Sequence, residues 1–222
     1  MSWWGRRAEE RSRHQVSVVR QAAAWCLHYP DSLLVERIPL LRSALSELDP
    51  SEPVSALLGV VEHLASTPQA DAARHYVEVF DSRPRLCLYL TWYTDGDTRR
   101  RGGSLSEFKQ LYREHGFVPS GGELPDYLPM LLEFTATGGP PARQAGEAML
   151  ARYRPAMELL ADNLARCGTP YVHCVRAVVG TTPPTGAGGR DASPAPPSEL
   201  VGLDLPGFGR PGSAPHPPEG SR

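Results

Sequence analysis

The chain has 222 residues, of which 41% are apolar and 22% charged, and its formal charge is −2. That is enough chain for a sizeable core in one domain, while the near-neutral balance lacks the one-sided surplus of Lys and Arg that phosphate neutralisation needs, so no nucleic-acid partner is expected. No run approaches the ~20 apolar residues of a membrane-spanning helix, so direct membrane insertion is not expected.

The first residues are basic but lead into no apolar h-region, and Arg6-Arg7 has no hydrophobic stretch behind it, so neither a secretory nor a twin-arginine leader is expected. Residues 1–15 are expected as a flexible N-terminus. Val16, Val19, Ala23 and Leu27 then recur at helical spacing, and that helix stops near Tyr29-Pro30. Asp31 is placed to cap a short helical piece, and Pro39 is expected to open a new turn carrying Leu41, Leu45 and Leu48. Ser51 and Pro53 start a helix with Val54, Leu57, Leu58, Val61 and Leu64 on one face. Another begins near Gln69 and sets Tyr76 and Phe80 four residues apart on one side.

The apolar run Leu86-Cys-Leu-Tyr-Leu-Thr-Trp-Tyr93 predicts a largely buried helix, because no other segment alternates with period two to pair with it as a strand. Thr94-Asp-Gly-Asp97 predicts a turn, and Arg99, Arg100 and Arg101 a solvated helix start or turn. Ser104 and Glu107 have capping-box spacing ahead of Leu105, Phe108, Leu111 and Tyr112, with Gly116 as the stop. Asp126 is expected to cap the next helix through the amide of Leu128, with Pro129 in its first turn. A stripe from Leu150 to Leu164 predicts a helix kinked near Pro155 and closed by Gly168, followed by a last helix carrying Val172, Val175, Val178 and Val179.

Many of the 23 prolines and 21 glycines fall beyond Gly180, so residues 181–222 are expected as a disordered tail that cannot offset its ordering entropy. Leu200, Val201, Leu203, Leu205 and Phe208 form an apolar exception within it, open to two readings: a short docking segment or, more often for such runs, just a patch within a linker. The fold class is therefore all-α, as a single compact helical domain over 16–180 with a tail.

Catalytic vocabulary is sparse. A calcium loop begun at Asp95 would need Gly and Glu where Arg100 and Ser106 stand. Cys167, His173 and Cys174 form the only local Cys/His group, lacking a fourth ligand at metal spacing, and no nucleophile, phosphate-loop or dinucleotide motif occurs. No enzyme activity and no cofactor are expected. Four cysteines without a CxxC pair, in a chain with no signal, predict free thiols in a reducing cytoplasmic compartment.

The region 76–134 is different in kind. Tyr76, Phe80, Leu88, Tyr89, Trp92, Tyr93 and Tyr127 concentrate apolar bodies, most with polar tips, while Met130 adds an adaptable side chain. Pro125 stands between Glu123 and Asp126, whose charges suit a basic residue on a ligand peptide. Core packing is the alternative for each of these residues; as a set they predict a surface that holds an amphipathic peptide helix.

At these residues the sequence resembles a known family. Tyr76-Val-Glu-Val-Phe80-Asp, the run 86–102 and Glu123-Leu-Pro-Asp-Tyr-Leu-Pro-Met130 are similar to the NarJ-type chaperones of respiratory nitrate reductase, within the TorD/DmsD group of redox-enzyme maturation proteins. The resemblance covers about 16–180. The group's hallmark ends in Pro-Asp-His, and here Tyr127 takes the histidine position after Pro125-Asp126. The resemblance implies a cytoplasmic, TorD-like helical chaperone. It would bind the N-terminal peptide of the nitrate reductase alpha subunit and assist molybdenum-cofactor insertion before membrane docking. A monomer is expected, with a dimer as the other state. Two further readings stay open: a chaperone for a different molybdoenzyme of the same superfamily, and a small metal- or thiol-redox protein built on Cys167, His173 and Cys174.

Overall fold

The computed structural model describes residues 3–119 and 122–184. In them the chain forms ten α-helices: α1 (Trp3–Cys26), α2 (Ser32–Ser46), α3 (Glu52–Ser66), α4 (Gln69–Tyr76), α5 (Leu90–Asp95), α6 (Arg99–Glu114), α7 (Leu128–Thr137), α8 (Pro140–Arg152), α9 (Arg154–Cys167) and α10 (Tyr171–Thr181). A π-type turn over Val77–Asp81 continues α4, and a 3-10 turn over Pro84–Leu86 follows it. The all-α expectation holds: among the described residues the only strand-like feature is one antiparallel bridge, between Tyr89 and Tyr127. From residue 185 onward the segment expected as a tail lies outside the described residues.

The second half of α1 is the axis of the fold. Ala22, Ala23 and Ala24 are all buried, as are Val19, Cys26 and Leu27. Successive residues turn by roughly 100° around a helix, so burial of three in a row means packing on every side. The neighbours that provide it are α2, α3, α7 and α10, and α10 packs in turn on α3 and α9. Small side chains let these helices approach closely at native packing density. The first half of α1, expected as a flexible lead-in, is helical from Trp3 and wholly solvent-facing where its side chains are described. Charge pairing at i,i+4 between Arg13 and Glu9 supports it there.

Several local expectations hold. Asp31 caps α2 by accepting the Leu34 amide at 3.0 Å, the chain breaks at Tyr153 just before Pro155, and Gly168 ends α9 with φ +66°. Three others are corrected. Pro39 lies inside α2 without ending it; it and Val35 are exposed, so water reaches the carbonyl that proline leaves without its usual donor. The run 86–93 is not one helix: Leu86 closes the 3-10 turn, Cys87 and Tyr89 are extended, and only from Leu90 does the chain turn α-helical. The single bridge to Tyr127 is too short a pairing to produce an alternating pattern in either segment. Finally, α6 begins at Arg99, so Ser104 is no cap. Its hydroxyl instead donates to Asp95 at 2.6 Å, and Glu107 accepts from Arg152 at 2.8 Å, so both residues serve tertiary contacts.

Candidate functional site

The two segments singled out in the sequence are bound to each other. The Leu90 amide donates to the Asp126 carbonyl at 3.1 Å and the Leu128 amide to the Leu88 carbonyl at 2.8 Å. The Asp126 carboxylate then accepts both the amide of Thr91, at 3.0 Å, and its hydroxyl, at 2.6 Å. Asp126 therefore caps α5 across the fold. The expected bond to Leu128 is not made, and α7 has Tyr127 at its N-cap position with no side-chain cap. A helix start 35 residues away in sequence outcompetes the local one because the bridge brings it within reach. Burial holds the Asp126 carboxyl above the usual aspartate range, against the opposing effects of the Thr91 hydrogen bonds and the Arg101 charge. The Arg101 guanidinium donates to the Thr91 hydroxyl at 3.2 Å and lies 5.5 Å from the Trp92 ring centre.

Most of the predicted aromatic set is buried. The Tyr76 hydroxyl lies 3.1 Å from that of Tyr127 and also donates to the Leu27 carbonyl at 3.1 Å. Burial pushes the Tyr127 hydroxyl up to about 12, so it stays neutral and shares this network as donor and acceptor. Phe80 packs between Tyr76 and Tyr171. Tyr93 donates to the carbonyls of Arg85 and Cys87, and Tyr112 to that of Pro125. Leu88 is buried with them. Tyr89, Trp92 and Met130 are half-buried and Glu123 is exposed; Tyr89 donates to Glu123 at 2.6 Å.

Beside this anchor lies an open cleft of about 640 Å³ between α1, the loop after α6, and α7. Trp25, Phe117, Val118, Met130 and Phe134 supply its apolar lining, and Glu123, Glu133, His28 and Arg37 its charge. Glu133 organises one wall, accepting from the Trp25 indole at 3.2 Å with the His28 ring 3.5 Å away. The hydrogen bond from His28 is the main reason the Glu133 carboxyl sits below the usual glutamate range, with Trp25 and Arg37 adding to it against the effect of burial. Arg37 also lies over the Trp25 ring, 4.3 Å from its centre. Past Tyr127 and Glu123 the surface continues into a hollow of about 230 Å³ lined by Tyr76, Phe80, Leu88 and Tyr89.

Of the predicted site residues, Glu123, Tyr127 and Met130 line the cleft, and Tyr76, Phe80, Leu88 and Tyr89 reach the hollow. Trp92, Tyr93, Pro125 and Asp126 line neither and hold the anchor beneath. Sequence reasoning missed Trp25, His28, Arg37, Phe117 and Glu133. The available signal was Trp25 and His28 three apart in the closing turn of the first helix, and Phe117-Val118-Pro119 just after the Gly116 stop.

Cys167, His173 and Cys174 do not converge. Cys174 is buried against Cys26, whose hydrogen bond and the surrounding burial push its thiol up, whereas Cys167 and His173 are exposed. Among the described residues no group of three or more His, Cys, Asp or Glu side chains is arranged to hold a metal ion.

Residues 47–176 match the model of a family described as the nitrate reductase delta subunit. The chain belongs to that family. The delta-subunit match takes in the anchor and the α7 side of the cleft, while Trp25, His28 and Arg37 precede it. Over 165 residues, 74% of this chain, it is 40% identical to the nitrate reductase-like protein NarX of Mycobacterium tuberculosis (strain CDC 1551 / Oshkosh). It spans only 24% of that protein's length. It is 29% identical over 158 residues to the probable nitrate reductase molybdenum cofactor assembly chaperone NarJ of Bacillus subtilis (strain 168), covering 71% of this chain and 84% of the relative. The nitrate reductase molybdenum cofactor assembly chaperone NarJ of Escherichia coli (strain K12) is 32% identical over 112 residues, which are 50% of this chain and 48% of that one.

Proposed function

We propose that this delta-subunit family member is a dedicated, non-enzymatic assembly chaperone for a nitrate reductase. In this reading it acts in the cytoplasm, holds the N-terminal segment of the catalytic alpha subunit, and keeps that subunit competent for molybdenum-cofactor insertion before membrane docking. The observation that carries the reading is the open cleft, apolar along its walls and flanked by Glu123 and Glu133, in a chain whose relatives include named molybdenum cofactor assembly chaperones. An amphipathic helix lays its apolar face into such a groove and offers a basic residue to the rim. Ordering the segment costs about 2–5 kcal/mol of the gross interaction, so the contact releases readily, as delivery of a client requires. No helix among the described residues is long and apolar enough to cross a membrane.

Isothermal calorimetry with the alpha subunit's N-terminal peptide tests this. Binding is expected, and Trp25→Ala is expected to weaken it about tenfold by removing an aromatic anchor worth more than ~1 kcal/mol. Absence of heat, with no rise in melting temperature on adding the peptide, would overturn the reading. Preference for the leader of another molybdoenzyme would reassign the client.

A further inference from the structure

We propose that the apolar segment 200–208 of this chain's own C-terminal region occupies the cleft between α1 and α7 and competes there with the client segment. The inference rests on the client reading above for its consequence, but not for the contact itself.

Three observations converge on it. Between residues 185 and 222 every large apolar side chain falls in one cluster, Leu200, Val201, Leu203, Leu205 and Phe208, while the flanks are Gly, Pro, Ala, Ser and polar residues. In the sequence Val201, Leu203 and Leu205 alternate with Gly202 and Asp204, so the cluster is compact and apolar at every second position. Among the described residues the cleft leaves apolar surface uncovered, with Val118 88% exposed beside Phe117 and Met130.

The second observation is where the chain leaves the body. Arg20 donates to the Thr181 carbonyl at 2.8 Å, and Arg154 donates to the carbonyls of Val179 and Thr182. These contacts pin the end of α10 against α1 at Arg20. The next residue, Gln21, lines the cleft, followed by Trp25 along the same helix and His28 in the turn after it. The exit point is therefore about a quarter turn around α1 from the cleft wall. Residues 185–199 span at most ~50 Å fully extended and about 20 Å as a flexible coil, so the cluster reaches the cleft without strain.

Charge is the third. Arg210 follows Phe208 by two residues and meets a cleft that carries Glu123 and Glu133, while Asp204 has Arg37 as its opposite. A tether of this length sets an effective concentration of about 1 mM. A contact with a Kd of about 0.1 mM is then occupied and lowers apparent client affinity about tenfold.

The test uses the full chain carrying Leu203→Ser, Leu205→Ser and Phe208→Ser together, with a fluorescein-labelled peptide of residues 198–210 read by anisotropy. The peptide is expected to bind the triple variant about tenfold more tightly than the unsubstituted chain, and to lose binding when Val118→Asp is added. Val118 is so exposed that this change leaves the fold intact. Peptide binding that is absent, equal on both chains, or untouched by Val118→Asp overturns the proposal. So does a doubling of mass at high concentration that the triple substitution abolishes, which would assign the segment to a second copy. The client peptide is titrated separately: tenfold tighter binding to the triple variant supports competition, and equal binding to both chains overturns it. Failure of the client on both chains overturns the chaperone reading and the competition together, while cleft occupancy is still decided by the 198–210 peptide.

Discussion

The Asp126 carboxylate accepts two hydrogen bonds from Thr91 inside the anchor and is fully buried. Burial raises its pKa, so the folded state keeps the proton longer than the unfolded chain. Its contribution to stability is therefore fullest below the ordinary aspartate value of about 3.9 and is lost as pH rises through the folded value. Asp126→Ala removes the acceptor and leaves a buried amide and hydroxyl unpaired, an expected cost of about 1–3 kcal/mol seen as a lower urea midpoint. Asp126→Asn keeps an acceptor and removes the charge; it is expected to retain more stability and to flatten the decline above the aspartate range. Equal, wild-type midpoints for both variants would show that Thr91 does not depend on this cap. Part of this was legible: an Asp between Pro125 and a helix start is a capping residue by type. Its target was not, because a side chain's partner is set by what the fold brings near: the Leu128 amide is given to the Leu88 carbonyl, and the Asp126 carboxylate takes Thr91.

Helix α8 meets α7 at Gly146, where an added Cβ would overlap Thr135 and press on the Phe134 ring. Gly146→Ala is expected to cost about 1–3 kcal/mol by overpacking. In a domain of this size that lowers the melting temperature by roughly 2–4 °C per kcal/mol, which circular dichroism would register. An unchanged melting temperature would mean that the two helices separate without penalty. Phe134 also lines the cleft, so the same contact holds one of its walls in position. At this scale helix existence was readable from 3.6-residue periodicity, Gly and Pro punctuation and the Asp31 cap. The exceptions were α8, which the stripe beginning at Leu150 did not mark out as a helix of its own, and elements shaped by contacts outside their own run: 87–89 leads into one bridge instead of a helix, and α6 starts at Arg99, so that Ser104 lies inside it and bonds back to Asp95.

Across the molecule, Glu133 joins α7 to Trp25 of α1 and to His28 in the turn after it, beside Arg37 of α2. Its folded pKa is lowered, chiefly by the hydrogen bond from His28. The stability it contributes is thus fully present above the ordinary glutamate value of about 4.3 and is lost as pH falls through the folded value. Glu133→Gln is expected to remove that part of the acid-side slope in urea midpoints measured from pH 3 to 6. An identical slope in the variant would show that the cleft wall is not held by this ionisation. What the amino-acid order determined by itself was the all-α class, most helix boundaries, and the concentration of aromatic residues in 76–134, because periodicity, capping and turn chemistry act over a few neighbouring residues. Only the tertiary structure decided which aromatics are anchor and which face the cleft. Tyr76 meets Tyr127, and Trp25 meets Glu133, across 51 and 108 residues of chain, and such pairings arise from packing that no local pattern encodes.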